Sequence, residues 1–497
     1  MKSLMKNVVV ATVTKILLII SSVVAQRFIL KSFGSEINGL TSSVSQFLLY
    51  FTILESGLGL ASIQALYKPL AEKDSKKIDG ILSATSVQYR RVGILFLLLS
   101  VGLAVAMPFI SSSGLSSFTV AAITLLMSLA TVINYLFIGK YQVLLNADKK
   151  VYVIHTLDAV LGIGFSVVRI VMINLGCSII TVQMVALLSP VIRALVLHMY
   201  VHYHYSYLTW KAKPDTQAIG KRKFVLIHQL FGMITLHAPA TIITVMSTLS
   251  QVSVYSVYNL IYNNINNLVS MAFSTAVAAS LGNVYESQRE RFDKFYHLYE
   301  LVFYCILFCG MSTVFVMTIP FVSLYTAGVQ GVEYKDVILA LLFLLFTLFS
   351  SVRLPAITLV NASGFFEETK NGAVIEAVLS VAVAAPCFYF FGLRGLMIGS
   401  CAAVFYRMLD IQIFVYIKIL RKDFWCWIKK IAAYGLLSAT YIMFFEIVWQ
   451  IKASGWIEWV ICGGVCGVVS VLWFFVGSLL LYRQDFIESI KMILKRR

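Results

Sequence analysis

Residues 36–77 read EINGLTSSVSQFLLYFTILESGLGLASIQALYKPLAEKDSKK and contain an apolar run long enough to cross a lipid bilayer. A spanning helix needs about 20 mostly apolar residues, and one carboxylate, that of Glu55, lies near the middle of this run. A charged side chain at that depth is costly, so we expect it to face the protein interior or a water-filled cavity. This stretch therefore predicts a membrane-spanning helix that carries a charge for a structural or functional reason.

The composition of the whole chain agrees with this interpretation. Of its 497 residues 59% are hydrophobic and only 13% are charged, and the mean hydropathy is +0.86. Soluble domains are about 25% charged, so we interpret the chain as an all-α polytopic membrane protein. The N-terminus resembles a signal peptide, but Lys15 interrupts its apolar core, and an uncleaved first membrane helix is expected. The 8 cysteines lie in or beside apolar runs and are interpreted as packing residues, not as metal ligands.

About fourteen apolar segments are predicted, and the loop charges support that number. With the N-terminus inside, thirty Lys and Arg residues fall on the inner side, and four fall in outer loops: Lys31, Lys335, Arg394 and Lys452. Positive charge accumulates in cytoplasmic loops, so this asymmetry predicts a multi-pass membrane protein with both termini in the cytoplasm. The net charge of +17 is assigned to this topology, and no nucleic-acid partner is expected. The predicted segments are 7–30, 37–66, 91–110, 117–145, 151–173, 178–201, 224–248, 252–282, 297–320, 337–361, 371–391, 395–419, 430–449 and 456–482.

The longest inner loop follows the sixth segment and divides the chain into two halves. We predict an N-terminal six-helix half (1–202), a cytoplasmic linker (203–223), a C-terminal six-helix half (224–421), and helices 13 and 14 with a cytoplasmic tail (422–497). Segments two and eight are both long and both run into a charged inner loop. This is a weak sign of two parallel repeats, which are common in transporters.

Ten charged residues within the apolar segments are singled out as candidates. The cations are Lys15, Arg27, Arg169, Arg193, Arg353 and Arg407, and the acids are Glu55, Asp158, Glu376 and Asp410. Four pairs are predicted. Depth in the membrane, counted at about 1.5 Å per residue, matches Lys15 with Glu55, Asp158 with Arg193, and Arg353 with Glu376. Arg407 and Asp410 are three residues apart on one helix and can pair there. Each pair is either a structural ion pair or a set of cavity charges that bind an anion or carry a coupling proton.

Cations outnumber acids in this set. Arg27 and Arg169 lie toward the outer side, where the sequence offers no acid at a matching depth. A cavity with surplus positive charge suits an anionic substrate, because charge-assisted contacts to phosphate are strong in a low-dielectric setting. On this argument the two arginines are the best candidates for substrate contact, while Glu55 balances Lys15 or couples transport to protons.

Polar side chains also recur at helical spacing in segments seven and eight. Segment seven places His237 on a face with three threonines, and segment eight carries Tyr255, Asn259, Tyr262 and Asn266 on one face. Such stripes serve either helix packing or cavity lining. Asn and Tyr offer donors, acceptors and aromatic faces, which suits a sugar. No metal site is predicted; the histidines at 198, 202 and 204 are interpreted as interfacial.

Several stretches together resemble the bacterial oligosaccharide-lipid flippases (Wzx-type) of the multidrug/oligosaccharidyl-lipid/polysaccharide (MOP) exporter superfamily. They are GSEINGLTSSVSQFLLYFTILESGLG (34–59) with LYKPLAEKD (66–74), VYSVYNLIYNNINNLV (254–269) with ASLGN (279–283), RLPAITLVNASG (353–364) and FYRMLD (405–410). The resemblance covers essentially the whole chain. It implies a MATE-like fold, in which the two halves form a V around a cavity that opens alternately inward and outward.

The resemblance also implies a substrate. An undecaprenyl-pyrophosphate-linked oligosaccharide would move from the inner to the outer leaflet, driven by an ion gradient, for surface polysaccharide biosynthesis. Cavity cations would meet the pyrophosphate, and helices 13 and 14 would form a groove for the lipid tail. The implied partners are the phospholipid membrane, a polysaccharide polymerase and glycosyltransferases. Neither a cofactor nor an enzymatic activity is expected, since the chain lacks a nucleotide-binding loop. A multidrug or cation antiporter of the same superfamily, a lipid II flippase and a non-transporting assembly scaffold are the alternatives.

Overall fold

The computed structural model describes residues 2–55, 57–209, 212, 223–287, 289–449, 451 and 453–483. These residues form helices and no β-strand. Among them, four short 3-10 or π-helical stretches extend or interrupt the helices: Thr52–Glu55, Asn134–Ile138, Val415–Leu420 and Phe445–Trp449. The helices are α1 (Lys2–Phe51), α2 (Leu58–Glu72), α3 (Ser75–Ile110), α4 (Ser117–Ile133), α5 (Gly139–Ala147), α6 (Val151–Asn174), α7 (Ile179–Ala186), α8 (Leu188–His204), α9 (Lys223–Met246), α10 (Leu249–Ser287), α11 (Arg289–Tyr325), α12 (Val337–Val352), α13 (Leu354–Ser363), α14 (Phe366–Ala382), α15 (Ala384–Phe414), α16 (Trp425–Phe444) and α17 (Trp456–Leu481).

Two of the long helices contain a glycine with non-helical dihedral angles. Gly34 in α1 has φ of 81°, and Gly392 in α15 has φ of 59°. Glycine adopts positive φ without a steric penalty, so each position permits a tight break in the backbone. Gly34 separates predicted segments one and two, and Gly392 separates segments eleven and twelve. With these breaks counted, the helices follow the predicted segments in order along the chain, and the predicted all-α polytopic architecture is confirmed.

Ten helices or helix groups in the described part of the chain are long and apolar enough to cross a membrane. Their outer surfaces carry large apolar side chains, such as Phe109 at 87% exposure and Leu480 at 80%. Water would penalise such surfaces, whereas lipid tails solvate them. Because helices satisfy their own backbone hydrogen bonds, they are suited to this environment.

The chain forms two compact units. The first consists of Met1–Ser253 with Gly328–Gln330, and the second of Val254–Ala327 with Gly331–Arg497. In the first unit α1 packs against α6 and α9, and α3 packs against α4. In the second unit α15 packs against α12 and α14, and α11 packs against α16 and α17. The predicted six-helix halves have other boundaries, and their independence as bodies stays a prediction.

The predicted linker, 203–223, lies mostly outside the described residues, but its first residues are anchored to the first unit. The Tyr205 hydroxyl donates to Asp148 Oδ2 at 2.5 Å and accepts from Lys150 Nζ at 3.1 Å. Burial and then the Asp148 carboxylate raise the pKa of Tyr205. The Thr209 N–H and hydroxyl donate to Asp79 Oδ2 at 2.9 and 2.8 Å. The chain leaving α8 is therefore bound to the ends of α3, α5 and α6.

Candidate functional site

A break in the backbone follows α1 at the position of Glu55. The helix tightens into a 3-10 turn at Thr52–Glu55, and Gly57, with φ of 76°, precedes α2. Irregular backbone within a membrane is tolerated where it is buried in protein or lines a cavity. Here the break borders a cavity of about 550 Å³ in the first unit, whose polar lining includes Thr52, Glu55, Tyr89, Gln142 and Asn146.

Glu55 is half-buried at the wall of this cavity. Its Oε1 accepts a hydrogen bond of 2.5 Å from the Tyr89 hydroxyl of α3. The predicted ion pair with Lys15 is wrong, since none joins these two residues in the described structure. The depth comparison requires a continuous helix, whereas the Glu55 side chain at the end of the 3-10 turn Thr52–Glu55 contacts Tyr89 of α3. Glu55 is thus a hydrogen-bonded carboxylate beside a cavity.

The second charge group of the first unit is the pair Asp158–Arg193. Arg193 Nη2 lies 2.7 Å from Asp158 Oδ1, which confirms the predicted pair. Arg193 Nη1 also lies 3.5 Å from the Asn134 Oδ1 of the π-helical stretch after α4. The two charged side chains keep 17% and 27% of their surface exposed. The pair therefore links α6 to α8 and satisfies both charges.

Arg27 and Arg169 lie at nearly the same depth on two packed helices. A Cβ atom on Gly162 of α6 would overlap the Leu18 side chain of α1, so these two residues mark the contact between the helices. Both segments run in the same predicted direction. Arg27 is nine residues beyond Leu18, and Arg169 is seven residues beyond Gly162, which at about 1.5 Å per residue places them within about 3 Å in depth.

The two arginines differ in their contacts. The Arg27 side chain or backbone already has an interaction partner within the structure. Arg169 forms no ion pair with any described residue, and its buried Nε has no hydrogen-bond partner among them. A guanidinium presents five donors and stays charged, so one without a protein partner suits an anion. The predicted substrate contact at these positions is not tested by the structure and stays a proposal.

In the second unit four charges form one network. Arg353 Nη1 lies 2.6 Å from Glu376 Oε1, and Arg407 Nη1 bonds to Asp410 Oδ2, so both predicted pairs are confirmed. Arg407 Nε also lies 3.9 Å from Glu376 Oε2 and links the two pairs. Two cations and two acids balance, and all but Asp410 are at most 12% exposed. The surplus of two positive charges predicted for the ten residues therefore falls entirely in the first unit.

The sequence prediction misses one buried pair. Glu300 of α11 is fully buried, and its Oε2 accepts from Lys430 Nζ at 2.8 Å and from the Tyr416 hydroxyl at 2.5 Å. The loop-charge count assigns Lys430 to an inner loop, whereas it lies in α16 with only 6% of its side chain exposed. Glu300 lies inside predicted segment 297–320, with Tyr296 and Tyr304 four residues to either side. Of these two tyrosines, only Tyr304 donates to the carboxylate, to Oε1 at 3.4 Å, whereas the buried Tyr296 hydroxyl has no hydrogen-bond partner among the described residues. The spacing of Glu300 and Tyr304 on one helix face is therefore the available signal.

The segment-seven stripe serves helix packing in the first unit. Five contacts, which we name the polar ladder, join the second half of α1 to α9 and the start of α10: Ser35–Ser250 (3.3 Å), Asn38–Ser253 (2.7 Å), Ser43–Thr244 (2.8 Å), Gln46–His237 (2.6 Å) and Tyr50–Thr241 (3.2 Å). Gly39 lies within the ladder and packs directly on the Leu249 backbone. The imidazole of His237 therefore hydrogen-bonds to Gln46 and contacts the Tyr50 ring in an edge-to-face arrangement.

The segment-eight stripe is largely buried in the second unit. The Tyr262 hydroxyl donates to Ala340 O at 3.1 Å, and Asn266 Oδ1 accepts from Ser351 at 2.8 Å. Tyr255 packs against Phe343 and is 4% exposed, whereas Asn259 is partly exposed. The two tyrosines and Asn266 thus hold α10 against α12, and sugar binding by this face stays a prediction.

No protein-family model matches the chain, and no curated protein matches it. Solved structures do share its fold. It is similar to a structure described as "Lipid II flippase MurJ, inward closed conformation", with a TM-score of 0.66 and 12% identity over 97% of this chain and 99% of the other. A multidrug resistance MATE family transporter of the MOP superfamily, in an inward-facing conformation, has a TM-score of 0.63 and 14% identity over 86% of this chain and 99% of that one. The chain therefore shares its fold with these two solved structures.

Proposed function

We propose that the chain is a flippase for an undecaprenyl-pyrophosphate-linked oligosaccharide and works by alternating access in the bacterial cytoplasmic membrane. One observation carries the proposal: the surplus positive charge of the membrane-embedded residues lies in the first unit, where Arg169 has no acidic partner among the described residues. A diphosphate offers the negative charge that this surplus requires. The fold supports a transporter in general terms.

Arg27 and Arg169 are the proposed diphosphate contacts, because they share one depth on packed helices. Lys15 lies deeper, three residues before Leu18, at about the level of the Asp158–Arg193 pair. The substrate would therefore meet cations at two depths along α1. The neutral network in the second unit is assigned a structural role, since each of its charges already has a partner.

The polar ladder is the proposed outer closure of the cavity. It joins a helix of the N-terminal predicted half to helices of the C-terminal predicted half, on the side assigned to the outer leaflet. Hydroxyl and amide contacts are worth about 1 kcal/mol each, so five of them hold a closure that an ion gradient can still open. We assign ion coupling to Glu55, since it is a carboxylate beside the cavity that no described cation neutralises.

The charge proposal is tested by Arg169→Ala in cells that export a surface polysaccharide. Loss of a charge-assisted phosphate contact costs about 2–3 kcal/mol, which predicts a drop in export of roughly 30- to 150-fold with normal membrane insertion. Arg169→Lys keeps the charge and should retain most of the export. Lys31→Ala removes an exposed cation and is the matched control. Normal export by Arg169→Ala would refute the cationic site.

A lipid II flippase is the second candidate. It is favoured by the similarity in fold to MurJ, which extends over nearly the whole of both chains. Both substrates carry a polyprenyl diphosphate, so the arginines do not discriminate between them. Rescue of cells depleted of their own lipid II flippase would favour this candidate. A multidrug or cation antiporter is disfavoured because cationic drugs would be repelled by the surplus positive charge. A polymerase and glycosyltransferases remain the proposed partners in the pathway.

A further inference from the structure

The second unit also contains a cavity, which is lined by none of the charge groups described above. It has a volume of about 590 Å³ and lies where the end of α11, the start of α12 and the chain between α16 and α17 meet. Ile319, Pro320, Phe445 and Ile451 form an apolar wall. Its size is within the range of small-molecule sites.

Two opposite charges line the same cavity. Lys335 and Glu446 are both exposed, and neither forms an ion pair or a hydrogen bond with a described residue. The neighbouring acid Asp336 is not available to Lys335, because its Oδ2 accepts from Arg394 Nε at 2.8 Å. The cavity thus presents an ammonium and a carboxylate that are both open to a ligand.

Aromatic residues place the cavity at the boundary between lipid and water. Phe321 packs against Trp456 and Trp459 with ring centroids 5.8 and 5.4 Å apart, and Phe445 stacks on Trp449 at 5.7 Å. Tryptophans concentrate at the level of lipid headgroups. The apolar wall therefore faces acyl chains while Lys335 and Glu446 lie at headgroup level. Tryptophans concentrate at both membrane surfaces, so the same placement applies to either leaflet.

We propose that this cavity binds the headgroup of a zwitterionic phospholipid of the phosphatidylethanolamine type. The phosphate would contact the Lys335 ammonium, the primary amine would contact the Glu446 carboxylate, and an acyl chain would follow the apolar wall. An anionic lipid such as phosphatidylglycerol satisfies Lys335 only. The site is independent of the transported substrate, so it holds whether or not the proposed function does.

Native mass spectrometry of the full-length protein, incubated with equimolar phosphatidylethanolamine and phosphatidylglycerol, tests the proposal. An exposed ion pair is worth up to about 1 kcal/mol, which predicts about a fivefold preference for phosphatidylethanolamine. Glu446→Gln should abolish this preference, and Lys335→Ala should weaken binding of both lipids. Glu333→Gln and Lys31→Ala are the matched controls, because both positions are exposed and lie outside the cavity lining.

Two results would overturn the inference. One is equal retention of the two lipids by the wild-type protein, or a preference that survives Glu446→Gln. The other is displacement of the bound lipid by soluble glycerophosphoethanolamine at a comparable concentration, which would mean that the headgroup alone is bound and that the apolar wall contributes nothing.

Discussion

Gly39→Ala is predicted to weaken the polar ladder. A Cβ at residue 39 would lie 2.6 Å from the Leu249 carbonyl carbon and 3.1 Å from its Cα, and would overlap the Leu249 oxygen. Carbon atoms pack at about 3.5–4.0 Å, so α1 must move about 1 Å away from the start of α10. The Asn38–Ser253 and Ser43–Thr244 hydrogen bonds, at 2.7 and 2.8 Å, then exceed the hydrogen-bonding range.

Two lost hydrogen bonds at about 1 kcal/mol each reduce the closed population about 30-fold relative to the open one. Oxidative cross-linking of Ser35→Cys with Ser250→Cys measures this closure, since the two hydroxyls are 3.3 Å apart. The cross-link should form readily in a background without the native cysteines and should fall at least tenfold when Gly39→Ala is added. Gly102→Ala, where no atom lies within 4 Å of the added Cβ, is the control. An unchanged yield with Gly39→Ala would refute the assignment of the ladder as a closure.

Three further predictions concern the charged groups. Lys430→Met leaves the Glu300 carboxylate buried without its cation and should cost about 3–5 kcal/mol, seen as a lower melting temperature in detergent; adding Glu300→Gln should restore most of the loss. Glu55→Gln should slow ion-driven export while leaving substrate binding intact, and export with unchanged dependence on the ion gradient would exclude Glu55 as the coupling residue. Tyr89→Phe removes the 2.5 Å hydrogen bond to Glu55, so normal export at every ion gradient tested would show that this bond is dispensable.

The depth comparison succeeds where helices are regular. Asp158 and Arg193 lie on uninterrupted stretches of α6 and α8, so a rise of about 1.5 Å per residue predicts their pairing correctly. It fails for Lys15 and Glu55, because the 3-10 turn Thr52–Glu55 interrupts the regular helix on which the comparison relies. Gly57 and Gly59 do not by themselves predict such a break, since glycines are also tolerated within helices.

Counting charges along the sequence misses one buried ion pair, that of Lys430 and Glu300. Lys430 counts as an inner-loop residue because it follows Lys429 at the edge of an apolar run. In the structure it is buried against Glu300, a contact between residues 130 positions apart in the sequence. The location of the surplus positive charge, by contrast, follows from the sequence, since the two arginines without a predicted partner, Arg27 and Arg169, both lie in the N-terminal half. What the structure adds is that the two pairs of the second unit form one network, because Arg407 Nε lies 3.9 Å from Glu376 Oε2.

Transport by the purified protein tests the central claim most directly. Proteoliposomes would be loaded with a fluorescent undecaprenyl-pyrophosphate-linked oligosaccharide, and its arrival in the opposite leaflet would be followed by quenching from outside. We predict movement that requires the wild-type protein, is lost with Arg169→Ala and is retained with Lys31→Ala. Absence of movement under every ion gradient, or equal movement by the wild-type protein and Arg169→Ala, would contradict the account.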